Sequence, residues 1–328
     1  MGRHKLDFFL VLLIILIFSE NIYCQYNNQQ DSYWKNQRKE ICFGIGTSNF
    51  LGELGGRNKI GSNFIWDYEI SQNRPCLRFD FRYRTTRTTL VKLSVNYGIL
   101  AGNDNLTKEP FRQNRNLHFK SNIIEFSGQM ELALANSAPK HKYNLPGVKA
   151  GGKGAQLYGF AGVGIGFFNP KANLDGEWVA LQPLGTEGQN QTNGPAPYKK
   201  YSIVLPMGLG YRKTIDRNWS MSLELSYRKT FSDYIDDVSG VYFDNALLEE
   251  KQGSSVAYLA DPSFGSITVN GKTIANPEQT ATGEVRGDNS DLDAYMFLNV
   301  NAIYKIDKKR FKRGNGRVVR KRTSKIVF

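Results

Sequence analysis

The sequence predicts an all-β chain: a closed, antiparallel, eight-stranded transmembrane β-barrel with long external loops. Three observations predict it. Apolar and polar residues alternate with period two in eight separate runs, and the connections between runs alternate between short and long. An apolar N-terminal stretch also reads as an export signal.

The basic start Gly2-Arg3-His4-Lys5 leads into FFLVLLIILIF, Phe8 to Phe18. That run is shorter than the roughly 20 apolar residues a membrane-spanning helix needs. Residues 1–24 are therefore expected to be a signal peptide, cut between Cys24 and Gln25, with a polar segment at 25–39 before the barrel at 40–306.

The first strand, EICFGIGTSNF, sets Ile41, Phe43 and Ile45 against Cys42, Gly44 and Gly46. The second, CLRFDFRYR, alternates Leu77, Phe79, Phe81 and Tyr83 with Arg78, Asp80, Arg82 and Arg84. KLSVNYGIL opposes Leu93, Val95, Tyr97 and Ile99 to Lys92, Ser94, Asn96 and Gly98. In IIEFSGQMELAL, Ile124, Phe126, Met130 and Leu132 stand opposite Glu125, Ser127, Gln129 and Glu131. LYGFAGVGIGFF, SIVLPMGLGYR, WSMSLELSYRKTF and AYMFLNVNAIYKI complete the eight, the seventh setting Met221, Leu223, Leu225 and Tyr227 against Ser222, Glu224, Ser226 and Arg228. The connections run about 25, 3, 22, 21, 33, 6 and 62 residues, which puts both termini in the periplasm. One of them, SAPKHKYNLPGVKAGGKG, is long for a periplasmic turn.

A strand with one greasy and one ionic face suits lipid outside and a charged interior. The apolar side chains then meet lipid, while Arg78, Asp80 and Arg82 pair with Glu125, Glu131 and Glu224, and Lys92 and Arg228 join the same lumen network. Buried ions must be paired, and a small barrel fills with side chains and leaves no pore. A soluble lipocalin-like barrel would instead pack large apolar residues inside. Against it, Gly44, Gly46, Gly162, Gly164 and Gly166 lie on the polar face, where an exposed surface gains nothing from glycine.

Chemistry is sparse. His4 leaves with the signal, His118 is expected in an external loop and His141 in the long periplasmic connection, so no catalytic pair or metal site is expected, and no cofactor. Asp288, Asp291 and Asp293 in GDNSDLD lack the glycine and glutamate of a calcium loop and read as a solvated turn. Cys42 and Cys76 are expected as free thiols at opposite ends of the barrel. The tail DKKRFKRGNGRVVRKRTSKIVF carries ten Lys or Arg against one Asp. Lys308, Lys309, Arg310, Lys312, Arg313, Arg317, Arg320, Lys321 and Arg322 are expected to form a basic periplasmic arm at 307–328. In an exported protein, anionic headgroups or an acidic protein are its expected partners, with no nucleic acid.

FLGELGG (50–56), FFNPKANLDGEW (167–178), LQPLGTEGQ (181–189) and YRKTFSDYIDDVSGVY (227–242) resemble the small outer-membrane barrels of Bacteroidota. That family includes the PorG-type component of type IX secretion, and the resemblance spans most of residues 40–306. It implies a non-enzymatic outer-membrane barrel in contact with lipid and with periplasmic or outer-membrane proteins of a secretion complex, serving protein export and, in some relatives, gliding. The matched loop residues include Leu181, Gln182, Pro183, Leu184, Gly185, Thr186, Glu187 and Gly188. In the later segment Phe231 and Tyr234, with Tyr242, are expected to pack onto the barrel mouth, and Asp236 and Asp237 to bind backbone amides or Arg212 and Arg228. The extended final loop and the basic tail depart from the shorter relatives. Two other classes compete. An adhesion or small-ligand-binding barrel would act through its external loops, and an outer-membrane enzyme would need an acid, a base and a nucleophile at one rim, which the histidine placement opposes.

Overall fold

The computed structural model describes residues 37–54, 70–137 and 154–306, except positions 108, 190, 192–193, 217, 270 and 290. The expected signal peptide, the basic tail at 307–328 and His141 lie outside the described residues.

The barrel strands are β1 (Lys39–Leu51), β2 (Arg74–Arg84), β3 (Thr89–Asn103), β4 (His118–Ser137), β5 (Ala155–Leu174), β7 (Tyr201–Thr214), β8 (Trp219–Thr230) and β11 (Ala294–Ile306). Each pairs antiparallel with the next, β11 returns to β1, and β4 with β5 completes the ring. A short strand β6 (Glu177–Ala180) folds back on the outer end of β5. Closure leaves the eight-stranded ring without a free edge, the condition for sheet to cross a bilayer, although the β5–β7 ladder skips Gly162 and Val163, opposite Leu205 and Pro206. The turns after β2 and β7 mark one end, where β4 also finishes and β5 begins, and the connections after β1, β3, β5 and β8 leave the other.

Alternation decides which face meets what. Phe79, Phe81, Leu93, Phe126, Val163, Leu209 and Leu223 all point outward and are exposed, Leu93 at 62%. Tyr83, Tyr211, Trp219 and Tyr304 ring the short-turn end, with the last two rings 5.0 Å apart. This is an interfacial aromatic girdle beneath an apolar belt. Gly46 lies where β1 and β11 run close, because a Cβ there would stand 1.9 Å from the Leu298 carbonyl oxygen.

Several strands outrun their apolar patterns. β4 starts at His118 and β5 ends at Leu174, since the hydrogen-bonded ladder continues through Lys120↔Lys171 after the greasy residues stop. His118 is thus a strand residue and not a loop residue, and its Nε2 accepts the Asn173 amide at 3.0 Å. Cys42 and Cys76 are free, but not at opposite ends: they oppose Asp80 and Gly46, four ladder positions apart, and both are buried in the lumen.

Candidate functional site

Two sites follow from this frame: the lumen and the cap over its external mouth.

The lumen is charged from the short-turn end upward. Glu40 accepts from Arg84 at 2.9 Å and Arg212 at 3.5 Å, while Glu131 takes Arg212 at 2.9 Å and Arg82 on its other oxygen. Glu224 accepts Arg78 at 2.6 Å, Lys92 at 3.2 Å and the Tyr158 hydroxyl at 2.7 Å, and Arg78 also holds Asp80 at 2.8 Å. Glu125 accepts from Arg228 at 3.1 Å and from the Tyr295 hydroxyl at 2.8 Å. Lys92 sits 3.7 Å from the centre of the Phe160 ring, and Arg228 lies 4.3 Å from that of Phe297. Each ion therefore meets an opposite charge or an aromatic face.

The partners differ from the simple scheme of residues 78, 80 and 82 against three glutamates. Glu125 belongs to Arg228, and Asp80 pairs with its own strand neighbour Arg78. Glu40, Tyr158 and Arg212 are members that the sequence reading did not place in the network. Glu40 could have been found from its parity with Cys42 in the first strand; nothing local distinguishes Tyr158.

Above the ions lies an apolar plug of Phe50, Leu54, Leu100, Phe119, Phe168 and Phe297 with their neighbours. The cap stands on it. Between β3 and β4, helix α1 (Pro110–Arg115) starts on Pro110 with Glu109 capping the Arg112 amide at 2.7 Å. Its Arg115 returns to Asp104 at 2.8 Å. In the last loop, α2 (Asn245–Gln252) is capped by Asp244, and α3 (Ser254–Ala260) buries Leu259 against Ala172 and Leu181. A hairpin of β9 (Ser266–Val269) and β10 (Lys272–Ala275) follows.

Arg286 knots these segments together. Its guanidinium donates to Glu187 at 2.9 Å and to the Asp237 carbonyl at 2.6 Å. Glu187 also accepts the Ser239 and Gly240 amides, while Asp237 accepts the Thr186 and Tyr198 hydroxyls, each at 2.5 Å. Asp236 takes the Leu54 and Val238 amides. Arg212 and Arg228 are not the partners of Asp236 and Asp237, because both point into the lumen toward glutamates. Gln182 donates to the Tyr198 carbonyl at 3.2 Å, and Leu184 packs at the edge of the Leu181 cluster. Gly185 and Gly188 both turn with positive φ, and a Cβ on Gly188 would strike the Phe243 ring at 2.3 Å. Tyr234 stacks on Tyr198 at 4.5 Å and Tyr242 is buried. Phe231 is not packed onto the mouth: it continues the outward parity of Tyr227 and Lys229 and is 58% exposed.

Asp293 is likewise buried and accepts the Ile235 amide at 2.8 Å, whereas Asp291 stays exposed and pairs with Lys229 at 3.4 Å. Glu53, Asp233, Asp236 and Asp293 gather here from separate segments, and burial first, then repulsion from neighbouring carboxylates (Asp288 and Glu187 in the case of Glu53), raises all four carboxyls above the usual range. Arg115 beside Glu53, Lys229 beside Asp293 and the Ser239 side chain beside Asp233 pull the other way. Among the described residues, no group of three His, Cys, Asp or Glu side chains is disposed to hold a metal ion.

Asp233 is pushed up to about 8, whereas an unfolded chain ionises near roughly 4. Between those values the folded cap holds more protons than the unfolded one, so its stability falls as pH rises through that window and levels off above it. Amide exchange of residues 231–293, corrected for intrinsic rates, is expected to show weaker protection at pH 8 than at pH 5. Equal protection would rule out buried, protonated carboxyls.

The closed ring, the lipid-facing belt and the girdle define a transmembrane β-barrel of the outer membrane. No family model and no curated protein matches the chain. Among solved structures it is similar to Ail, the attachment invasion locus protein of Yersinia pestis, crystallised with the heparin analogue sucrose octasulfate. That match has 10% identity and a TM-score of 0.36, and covers 83% of this chain and 99% of that one. It is also similar to Neisserial surface protein A, at 8% identity and TM-score 0.35, covering 82% and 97%. The N-terminal barrel domain of Pseudomonas aeruginosa OprF matches at 10% identity and TM-score 0.29, covering 82% and 98%. At such identities the likeness concerns the fold alone.

Proposed function

We propose that the protein is a non-enzymatic outer-membrane barrel that binds a macromolecular partner through its external cap. The observation that carries this is a cap held rigid from below yet apolar on top. Phe111 and Phe264 are 51% and 64% exposed beyond the belt, while the backbone at both positions is fixed. The Phe264 amide donates to Asn114 at 3.0 Å, and Gln279 donates to the Phe111 carbonyl at 2.9 Å. Large apolar groups presented on an ordered external surface are a mark of contact sites. The filled lumen argues for work at the surface and against conduction.

The test is attachment of cells displaying the barrel to protein-coated surfaces. The Phe111→Ser/Phe264→Ser variant should insert normally and lose most of that attachment. Undiminished attachment would remove the cap from the function.

A second reading, an accessory role in type IX secretion, is favoured by one observation. The loops that carry the family resemblance, 181–189 and 227–242, are the ones that interlock through Glu187, Asp237 and Arg286. On that reading the basic arm at 307–328 engages a periplasmic protein. Truncation after Ile306 would then reduce export of carboxy-terminally tagged cargo and leave surface attachment intact.

A further inference from the structure

We propose that the outer rim of β4, β5 and the segment leading into β7 binds the phosphate groups of a phosphorylated glycolipid in the outer leaflet. The outward side chains of β5 are apolar from Leu157 to Phe167, and at about 3.4 Å per residue and a tilt near 45° that stretch spans about 25 Å of membrane thickness. Four residues further out the same face carries Lys171, directly opposite Lys120 on β4. Lys199 stands just before Tyr201, the residue paired with Phe167 at the belt edge. These backbone positions lie roughly 5 to 10 Å above the hydrocarbon, within the headgroup layer that a lysine stem sweeps.

Two features make the cluster a binding rim and not scattered surface charge. Aromatic rings hold the ammonium groups at the interface: Lys120 Nζ is 5.3 Å from the centre of the Trp178 ring, and Lys199 Nζ is 5.8 Å from that of Tyr201. Trp178 is itself braced edge-on by His118 at 6.5 Å. Moreover, no ion pair with a carboxylate is made by Lys120, Lys171 or Lys199 among the described residues, whereas Lys229, the outward cation near the end of β8, is paired with Asp291. Three unpaired cations above an apolar wall match an anion that is itself anchored in the membrane. A free phosphate would gain nothing from the adjoining Phe167, Ile165 and Phe126 face; an acylated one would.

The experiment uses the full barrel in phosphatidylcholine vesicles doped with a bisphosphorylated acyl-disaccharide or with its dephosphorylated form, and measures lipid retained after extraction in mild detergent. The native protein should retain the phosphorylated lipid preferentially. Lys120→Gln/Lys171→Gln/Lys199→Gln should lower that retention at least about tenfold and leave the dephosphorylated lipid unaffected. A control with Lys39, Lys213 and Lys251 changed to Gln should retain lipid like the native protein, and heat-modifiable gel mobility confirms folding of both variants. Equal retention by the rim variant and the native protein overturns the proposal. So does an equal loss in the control, or displacement of the lipid by millimolar inorganic phosphate.

Discussion

Replacing Glu224 with leucine is expected to destabilise the barrel by about 3–5 kcal/mol, the largest effect of any single lumen substitution. Glu224 is the acceptor for Arg78, Lys92 and Tyr158, and all of these side chains are buried. Without its carboxylate, Asp80 is left, among the described residues, as the only acid ion-paired to that group, through Arg78. Two cations then share one counter-charge in a space with little water, and the Tyr158 hydroxyl loses its acceptor. Net stabilities of folded domains are roughly 5–15 kcal/mol, so such a loss is a large fraction of the whole.

A lipid-facing control separates this from packing. Leu223, one residue earlier, is exposed to the bilayer, and Leu223→Ala should cost about 1–2 kcal/mol of transfer energy. Glu224→Gln keeps the shape and an acceptor for Tyr158 but removes the charge, and should fall between the two. Denaturant midpoints in lipid vesicles read all three. Coincident midpoints for Glu224→Leu and Leu223→Ala would mean that the interior charges are hydrated and not paired.

The same residues show how far the sequence could be read. In CLRFDFRYR the alternation puts the apolar and the ionic residues on opposite faces, and the polar-face glycines of the first and fifth strands decide that the apolar face meets lipid. Which acid meets which base is a different matter. Arg78 reaches Glu224 only because closure and stagger bring β8 across the lumen, and no spacing along the chain encodes that stagger. Strand ends lie beyond the apolar pattern for a related reason. Hydrophobic alternation stops with the bilayer at Ile124 and Phe167, while the ladder needs only backbone groups and runs on to His118 and Leu174. The cap was the least legible part. Arg286 lies in a polar stretch without periodicity, and its importance arises from two loops distant in sequence that meet over the plug.

Arg286→Leu should therefore release the cap while sparing the barrel. The substitution leaves Glu187 and Asp237 buried without their cation, at a cost of about 3–5 kcal/mol. Glu187 keeps the Ser239 and Gly240 amides, and Asp237 keeps two hydroxyls, which moderates the loss. No barrel strand contributes to this knot, whose members lie at 186–198, 237–240 and 286. The penalty thus falls on loop segments that meet the ring through the apolar plug and the Leu259–Ala172 contact, and not through this knot. Heat-modifiable mobility should be unchanged, while limited proteolysis should cut newly between residues 244 and 289, and exchange protection there should drop by at least a hundredfold, roughly the equivalent of 3 kcal/mol. Arg286→Lys, which restores the charge without the fork, should recover part of the protection. Native-like protection in Arg286→Leu would show that the apolar plug alone holds the cap. A joint loss of cap and barrel would show that the two fold as one cooperative unit.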